Sequence, residues 1–120
     1  MTAKWVFNLH DETVGIHRIL AEGLQARVFA GEQAMLSVVK IEPFSTGKMH
    51  SHPEEQWGVL LEGACTRLQG GEAVQMVAGD FWHTPGGVPH AIQTGESSAL
   101  VLDIFSPPRQ AYKQSGAGFG

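Results

Sequence analysis

The chain has 120 residues, the length of one domain, and its 12 acidic against 8 basic residues give a formal net charge of −4. It contains no basic run and no basic helix face, so we expect no nucleic-acid partner. No stretch approaches the roughly 18 consecutive apolar residues of a membrane helix, so we expect no membrane partner either.

Cysteine usage and the N-terminal residues indicate the compartment. Cys65 is the only cysteine in the sequence, so no intrachain disulfide can form, which is typical of a reducing environment. The N-terminal residues lack the long apolar run of a secretory signal. We therefore expect a cytoplasmic protein.

In chain order, the sequence alternates short β-like runs with turn signals. Residues 11–22 are the only candidate helix, with Asp11 as a possible N-cap, although Gly15 weakens the case. Eight candidate strands follow, at residues 24–30, 34–42, 56–62, 65–69, 73–77, 80–84, 91–94 and 98–105. Short strands between frequent Gly and Pro turns predict an all-β protein, an antiparallel sandwich or barrel. We expect residues 113–120, which are rich in Gly, to form a flexible tail.

Two of the candidate strands are apolar on both faces. Residues 34–41 show this pattern, and residues 98–105 alternate Ala99, Val101 and Phe105 on one face with Leu100, Leu102 and Ile104 on the other. A strand of a solvated barrel should have one polar face, so the outer side of these strands needs a cover. Either the N-terminal segment or a second protomer supplies that cover, and we favour a homodimer.

Four side chains with neutral donor atoms form the most informative pattern: His50, His52, Gln56 and His90. His50 and His52 point to one face of a regular strand, and Gln56 shares their parity. One strand cannot surround an ion, so we expect His90 to approach from a second strand, after a rigid turn with two prolines and two glycines. Imidazole nitrogens and an amide oxygen suit one divalent metal ion, Zn, Ni, Mn or Fe, which keeps its full charge among neutral ligands.

A bland interpretation stands beside this one, because a lone H-x-H pair is more often a surface or core pair than a metal site. The remaining histidines match no ligand spacing and are interpreted as structural or surface residues: His10, His17 and His83. Trp57 and Trp82 are interpreted as core or dimer contacts.

The order and spacing of these residues resemble the cupin superfamily. Its first motif is G-x5-H-x-H-x3/4-E-x6-G, and the chain matches it at His50, His52, Gln56 and Gly63. Gln56 stands where Glu is usual, and Phe44 stands where the first Gly is expected. Glu54 shares the parity of Gln56 and competes with it as a ligand, whereas Glu55 points the other way. We favour Gln56 because it holds the motif position.

The second cupin motif, G-x5-P-x-G-x2-H-x3-N, is matched at Gly79, Pro85, Gly87 and His90, with Thr94 in place of Asn. Two spaced motifs in the right order are far more specific than either alone. The resemblance implies a cupin double-stranded β-helix, or jelly-roll barrel, formed by a single domain at residues 1–112. The barrel core spans residues 34–105.

Within the superfamily, two local features resemble the small uronate-converting cupins of pectin and alginate breakdown, the KdgF type. They are the run from His50 to Gln56 and the pattern D-x-F-x-x-x-R at Asp103, Phe105 and Arg109. The resemblance implies metal-dependent ring opening and ketonisation of an unsaturated uronate or similar carboxylate sugar. It implies that Asp103 and Arg109 are catalytic, and that Phe105 and Arg109 contact the substrate.

The chemistry of these residue types agrees with those roles. An arginine such as Arg109 can bind a carboxylate through two parallel hydrogen bonds. Asp103 can move a proton, and Phe105 offers an apolar wall to a sugar ring. Lys48 lies next to the first motif, and we add it as a substrate-binding residue at the edge of the pocket.

Other interpretations stay open. Asp103 could cap a turn or pair with Lys40 or Arg67, and Arg109 could be a solvated residue after Pro107 and Pro108. The chain could also be a cupin dioxygenase or lyase that acts on another small substrate, or a sugar-binding cupin without catalysis, because the fold alone does not give the function.

Overall fold

The strands of the protein are wound into a curled sheet, seen in a computed structural model that describes residues 3–120. The strands are β1 Ile16–Ala21, β2 Leu24–Ala30, β3 Met35–Ile41, β4 Thr46–His50, β5 Glu55–Gln69, β6 Glu72–Val77, β7 Phe81–Thr84, β8 His90–Gln93, β9 Ala99–Ser106 and β10 Gly116–Ala117. A short 3-10 helix at Gln110–Lys113 precedes β10. The predicted all-β architecture is confirmed. Within residues 3–120, no helix is long and apolar enough to cross a bilayer.

The long strand β5 joins the two walls of the barrel. Its first half pairs with β9 and β7, and its second half pairs with β8 and β6. The strand bends at Gly63, which has a φ of 84°, and a Cβ atom there would lie only 1.9 Å from the carbonyl oxygen of Ser98. The sequence predicted two strands, 56–62 and 65–69, because the glycine looked like a turn rather than a bend within one strand.

The predicted helix at 11–22 is wrong, because Ile16–Ala21 forms the strand β1. β1 pairs with β2 in an antiparallel hairpin that turns at Gly23, which has a φ of 80°. Arg18 and Leu20 are buried while Ile19 is exposed, which is the period of two of a strand. The pairing available in the neighbouring β2 overrides a weak local helix preference. Strand β4 was also missing from the sequence prediction.

Phe44 explains why a glycine is usual at its position in the first cupin motif. Its φ is 54°, in the left-handed region that favours glycine, and its side chain is 76% exposed. The turn is held by the Phe44 N–H, which donates to the carbonyl oxygen of Gly95 at 2.8 Å. The backbone of the motif is therefore retained although the side chain is unfavourable there.

We expect Phe44→Gly to stabilise the protein by about 0.5–1 kcal/mol, because relief of left-handed strain exceeds the entropy lost by glycine on folding. Thermal and urea unfolding measure the change. Phe44→Ala is the matched control, since it removes the same ring but keeps the Cβ atom. An equal gain from both variants would contradict strain as the cause.

The N-terminal segment covers only part of the outer face of the sheet. Arg27 on β2 donates to the carbonyl oxygens of Leu9 and Asp11 at 2.5 Å each, and the rings of Phe7 and Phe29 lie 4.9 Å apart. Farther along the sheet, three large apolar side chains on the outer face remain exposed: Leu36, Trp57 and Phe81. The homodimer stays a prediction, and this uncovered face is where it would form. Trp82, by contrast, is buried in the core as expected.

Candidate metal centre

Three histidines from separate parts of the chain meet inside the barrel. His50 ends β4 and His90 begins β8, and the two are direct partners across the antiparallel pair. His52 lies in the loop that follows β4, not on a continuing strand as the sequence parity argument assumed. One nitrogen from each ring lies within 4.8 Å of the others. The three residues could therefore hold a metal ion.

The loop that carries His52 is attached to the turn that precedes His90. The Gly87 N–H donates to the carbonyl oxygen of His52 at 2.8 Å. A Cβ atom on Gly86 would lie 2.2 Å from the carbonyl oxygen of Pro53, so only glycine permits this contact. The Gly-Gly pair of the second motif thus allows the backbone approach that brings His52 beside His90.

Backbone carbonyl groups select the tautomer of all three rings. Nδ1 of His50 donates to Lys48 O at 2.8 Å, Nδ1 of His52 to Glu54 O at 3.0 Å, and Nδ1 of His90 to Val88 O at 2.9 Å. With Nδ1 protonated, each Nε2 carries a lone pair. Among residues 3–120, the buried Nε2 of His90 has no hydrogen-bond partner. An orphaned acceptor at His90 fits a cation.

Gln56, from the start of β5, faces the same space with its carbonyl oxygen. Its Nε2 donates to Oδ1 of Asp103 at 3.0 Å, which assigns Oε1 to the side of His52. Oε1 then lies 3.0 Å from Nε2 of His52, so two lone pairs face each other across a contact distance. A shared cation relieves that repulsion.

Glu54, the competing candidate, lies on the other side of the His52 ring. Its Oε1 is 3.5 Å from Nδ1 of His52 and 3.7 Å from Nε of Arg109. Because Nδ1 faces away from the shared space, Glu54 orients His52 and Arg109 rather than joining the cluster. This geometry supports Gln56 as the fourth ligand.

Burial keeps the three imidazoles in the neutral form that a metal requires. It lowers the pKa of His50 and of His52 below the ordinary 6.5, and it lowers the pKa of His90 to about 3. The positive charge of Arg109 lowers the pKa of His50 and His52 further. All three lone pairs are available near neutral pH.

These lowered pKa values predict an acid-sensitive apo protein. Below about pH 6.5 the unfolded chain binds more protons on these histidines than the folded chain does, so stability falls as the pH is lowered. The melting temperature of the metal-free protein, measured between pH 8 and pH 4, should decrease below about pH 6.5. A melting temperature that is flat across this range would contradict neutral buried histidines.

Asp103 and Phe105 lie on the inner face of β9, beside Gln56. In the pairing of β5 with β9, Gln56 stands opposite Phe105, and Gly58 opposite Asp103. Burial raises the pKa of Asp103 to about 6, although Arg67 and the hydrogen bond from Gln56 oppose the shift. Lys40 instead forms an exposed ion pair with Glu12 at 3.6 Å, so it is not the partner of Asp103.

Arg109 is buried, and the interpretation of it as a solvated residue is wrong. It is 6% exposed, lies 4.2 Å from the ring centroid of Tyr112, and donates from Nη2 to the carbonyl oxygen of Phe119. Lys48 is exposed, its side chain does not line the cavity, and it contributes its backbone carbonyl to His50.

Three further residues line the cavity that the sequence analysis did not assign to the site, although it named Arg67 as a possible partner of Asp103. Arg67, on the second half of β5, is 4% exposed and donates from Nη2 to Oγ1 of Thr84 at 2.8 Å. Tyr112 and Phe119, from the C-terminal segment, line the cavity with it. Strand parity after Gly63 could have placed Arg67 inside, whereas no local signal in a Gly-rich tail points Phe119 inward.

Three of the four candidate ligands line a small cavity, and His52 is not among its lining residues. His50, Gln56, His90, Asp103, Phe105 and Phe119 are among its lining residues, and its free volume is about 30 Å³. That volume admits an ion and a water molecule or so, but not a six-carbon sugar.

The architecture is similar to that of solved structures of known proteins. The chain is similar to the solved structure of KdgF from Halomonas sp., with a TM-score of 0.78, 27% identity, and coverage of 88% of this chain and 98% of that one. It is also similar in fold to an RmlC-like cupin from Shewanella frigidimarina, with a TM-score of 0.79 at 20% identity over 92% of this chain and 96% of that one.

A curated relative is the oxalate decarboxylase OxdC of Bacillus subtilis, which is 29% identical over 72 residues. The match covers 56% of this chain and 19% of that protein, so the chain spans about a fifth of the relative's length. The family described as the cupin domain matches residues 37–105. With its barrel topology and this match over more than half its length, the chain belongs to the cupin family.

Proposed function

We propose that this cupin is an enzyme that converts an unsaturated monouronate, or a similar small carboxylate sugar, to its linear keto form. The observation that carries the proposal is that the carboxyl group of Asp103 lies on the cavity lined by His50 and His90 of the three-histidine cluster, and that Gln56 contacts both Asp103 and His52. The similarity to KdgF, which extends over nearly the whole length of both chains, supports it.

His50, His52, His90 and Gln56 would hold one divalent ion, with Zn, Ni, Mn and Fe as candidates. When bound, such an ion supplies Lewis-acid polarisation of a substrate oxygen. Because all four protein ligands are neutral, none of its charge is cancelled. The Nδ1 hydrogen bonds to backbone carbonyls hold the rings in position for it.

Ring opening and ketonisation require only proton movement. The hemiacetal hydroxyl loses a proton, the ring C–O bond breaks, and the enol so released tautomerises to a ketone with a proton added at carbon. Asp103 is the chain's candidate for carrying that proton, because a pKa near 6 lets it accept and return one near neutral pH. Phe105 offers its ring as a wall, and Arg109 is the candidate partner of the carboxylate.

Loss of the unsaturated-uronate absorbance tests this proposal directly. Protein loaded with each candidate metal in turn should accelerate the loss, and chelator-treated protein should not. Arg109→Lys should raise KM more than it lowers kcat, because the lysine keeps the charge but loses the two-pronged contact. No acceleration with any of the metals would reject the proposed reaction.

A second candidate is a lyase that acts on a small carboxylate, and the similarity to oxalate decarboxylase favours it. Carbon dioxide release from oxalate by metal-loaded protein would identify this activity. The remaining expectations join the proposal: a homodimer through the exposed face at Leu36, Trp57 and Phe81, and a cytoplasmic location.

A further inference from the structure

The C-terminal segment runs along β1 and places Phe119 in the cavity. Gly116 and Ala117 form β10, which pairs in parallel with β1, and the Gly118 N–H donates to the carbonyl oxygen of Ile19 at 2.8 Å. The ring of Phe119 stacks on the imidazole of His50, with centroids 4.3 Å apart and planes at 29°. One of the candidate metal ligands is thus covered by the tail.

Arg18 holds this tail in place. Its Nε donates to Gly118 O and its Nη2 to Ala117 O, both at 2.9 Å, while Nη1 donates to Ala111 O at 3.0 Å and to Gln114 O at 3.2 Å. The guanidinium is buried on β1, and all of these acceptors are backbone carbonyls of the C-terminal segment. The buried arginine therefore fixes the position of the tail through hydrogen bonds to its backbone.

Phe119 fills space that a substrate of the proposed size needs. A Cβ atom on Gly47 would lie 3.2 Å from Cζ of Phe119, so the ring lies against β4 at Gly47. The carbonyl oxygen of Phe119 accepts from Nη2 of Arg109, while Nη1 of Arg109 has no partner among residues 3–120. A carboxylate has two oxygens and would satisfy both nitrogens, where the single tail carbonyl satisfies one.

We propose that residues 115–120 form a strap that occupies the substrate position of the cavity, and that a carboxylate ligand binds by displacing Phe119 from His50 and Arg109. The inference rests on the proposed function in taking this cavity as the substrate site. It explains how a cavity of about 30 Å³ can serve a sugar.

The strap makes few contacts through side chains and pairs only briefly with β1, so it can move out of the cavity. Phe119 is its one large side chain, and β10 pairs with β1 over only two residues. Gly116 and Gly118 have φ values of 154° and 84°, so the closed backbone depends on glycine at Gly118. If ligand binds only to molecules with an open strap, the apparent affinity equals the intrinsic affinity multiplied by the open fraction.

The first test measures access to His50 without metal, ligand or activity. Diethyl pyrocarbonate modifies imidazoles, and peptide mass spectrometry gives the rate at each histidine. In Phe119→Ala the rate at His50 should rise about tenfold if about nine molecules in ten are closed. The rate at exposed His83, which lies outside the cavity, should stay unchanged and serves as the internal reference.

Gly118→Val is a second variant that removes no contact. Nothing lies within 4 Å of the added Cβ, but a β-branched residue resists a φ of 84°, so only the closed strap is strained. Gly70→Val is its matched control, with a φ of 59° and open space at the β5–β6 turn. The rate at His50 should rise in Gly118→Val and stay unchanged in Gly70→Val.

The second test uses D-galacturonate, a saturated uronate, titrated into zinc-loaded protein by calorimetry. Phe119→Ala should bind it about tenfold more tightly than the parent chain, because about one parent molecule in ten is open in the same estimate. An unchanged His50 rate in both strap variants overturns the proposal, and so does weaker galacturonate binding in Phe119→Ala, which would make Phe119 a wall of the substrate site. Faster His50 modification with no galacturonate binding in any protein supports the strap and counts against the proposed function.

Discussion

Asp103→Asn should lower kcat for uronate conversion by about 10²–10⁴-fold, the usual contribution of a positioned acid or base, with a much smaller change in KM. The variant keeps an oxygen that accepts from Nε2 of Gln56, so the orientation of Gln56 toward His52 is retained. Steady-state kinetics with the metal-loaded protein measure the effect. Metal affinity should stay close to that of the parent chain.

Thermal unfolding separates a catalytic role of Asp103 from a structural one. Because burial raises its pKa from 3.8 to about 6, the stability that this group contributes is complete below pH 3.8 and is lost as the pH rises through 6. Asn carries no charge, so Asp103→Asn should melt at a higher temperature than the parent chain at pH 8. Glu12→Gln, on an exposed carboxylate, is the control and should change neither property. Full turnover in Asp103→Asn would contradict its proton-carrying role.

His90→Ala should weaken divalent-metal binding by more than the roughly 10–100-fold that loss of a ligand's supporting group costs. His90 contributes the Nε2 that is buried without a partner, opposite His50 across β4 and β8. Competition titration against a chelating indicator measures the affinity. His83→Ala is the matched control, because His83 is an exposed imidazole paired with Glu55 at 2.6 Å, outside the cavity. Equal affinity in both variants would contradict the proposed site.

The site was partly predictable because motif spacing records which side chains must converge. The sequence placed His50, His52 and His90 around one point, and the structure brings them together. It could not give the orientation of Gln56, which depends on a hydrogen bond from the distant β9. The parity argument that joined His52 to Gln56 on one strand is wrong in its geometry, because β4 ends at His50.

Strands β2 and β3, whose apolar runs end at turn signals, were predicted to within a residue or so. The first strand was not, because Arg18 points inward. A buried arginine does not look like a core residue from sequence, and its partners are carbonyls about a hundred positions away. The contacts of the C-terminal segment are also with residues far away in the sequence. Its glycines therefore predicted only a flexible tail, and that flexibility stays a prediction.

Crystallographic location of the ion, by anomalous scattering from protein loaded with Mn²⁺ or Zn²⁺, tests the central claim most directly. We expect one peak at about 2.0–2.2 Å from Nε2 of His50, His52 and His90 and from Oε1 of Gln56. An ion held by Glu54 or Glu55 instead, or no ion at the three imidazoles in metal-saturated crystals, would contradict the account.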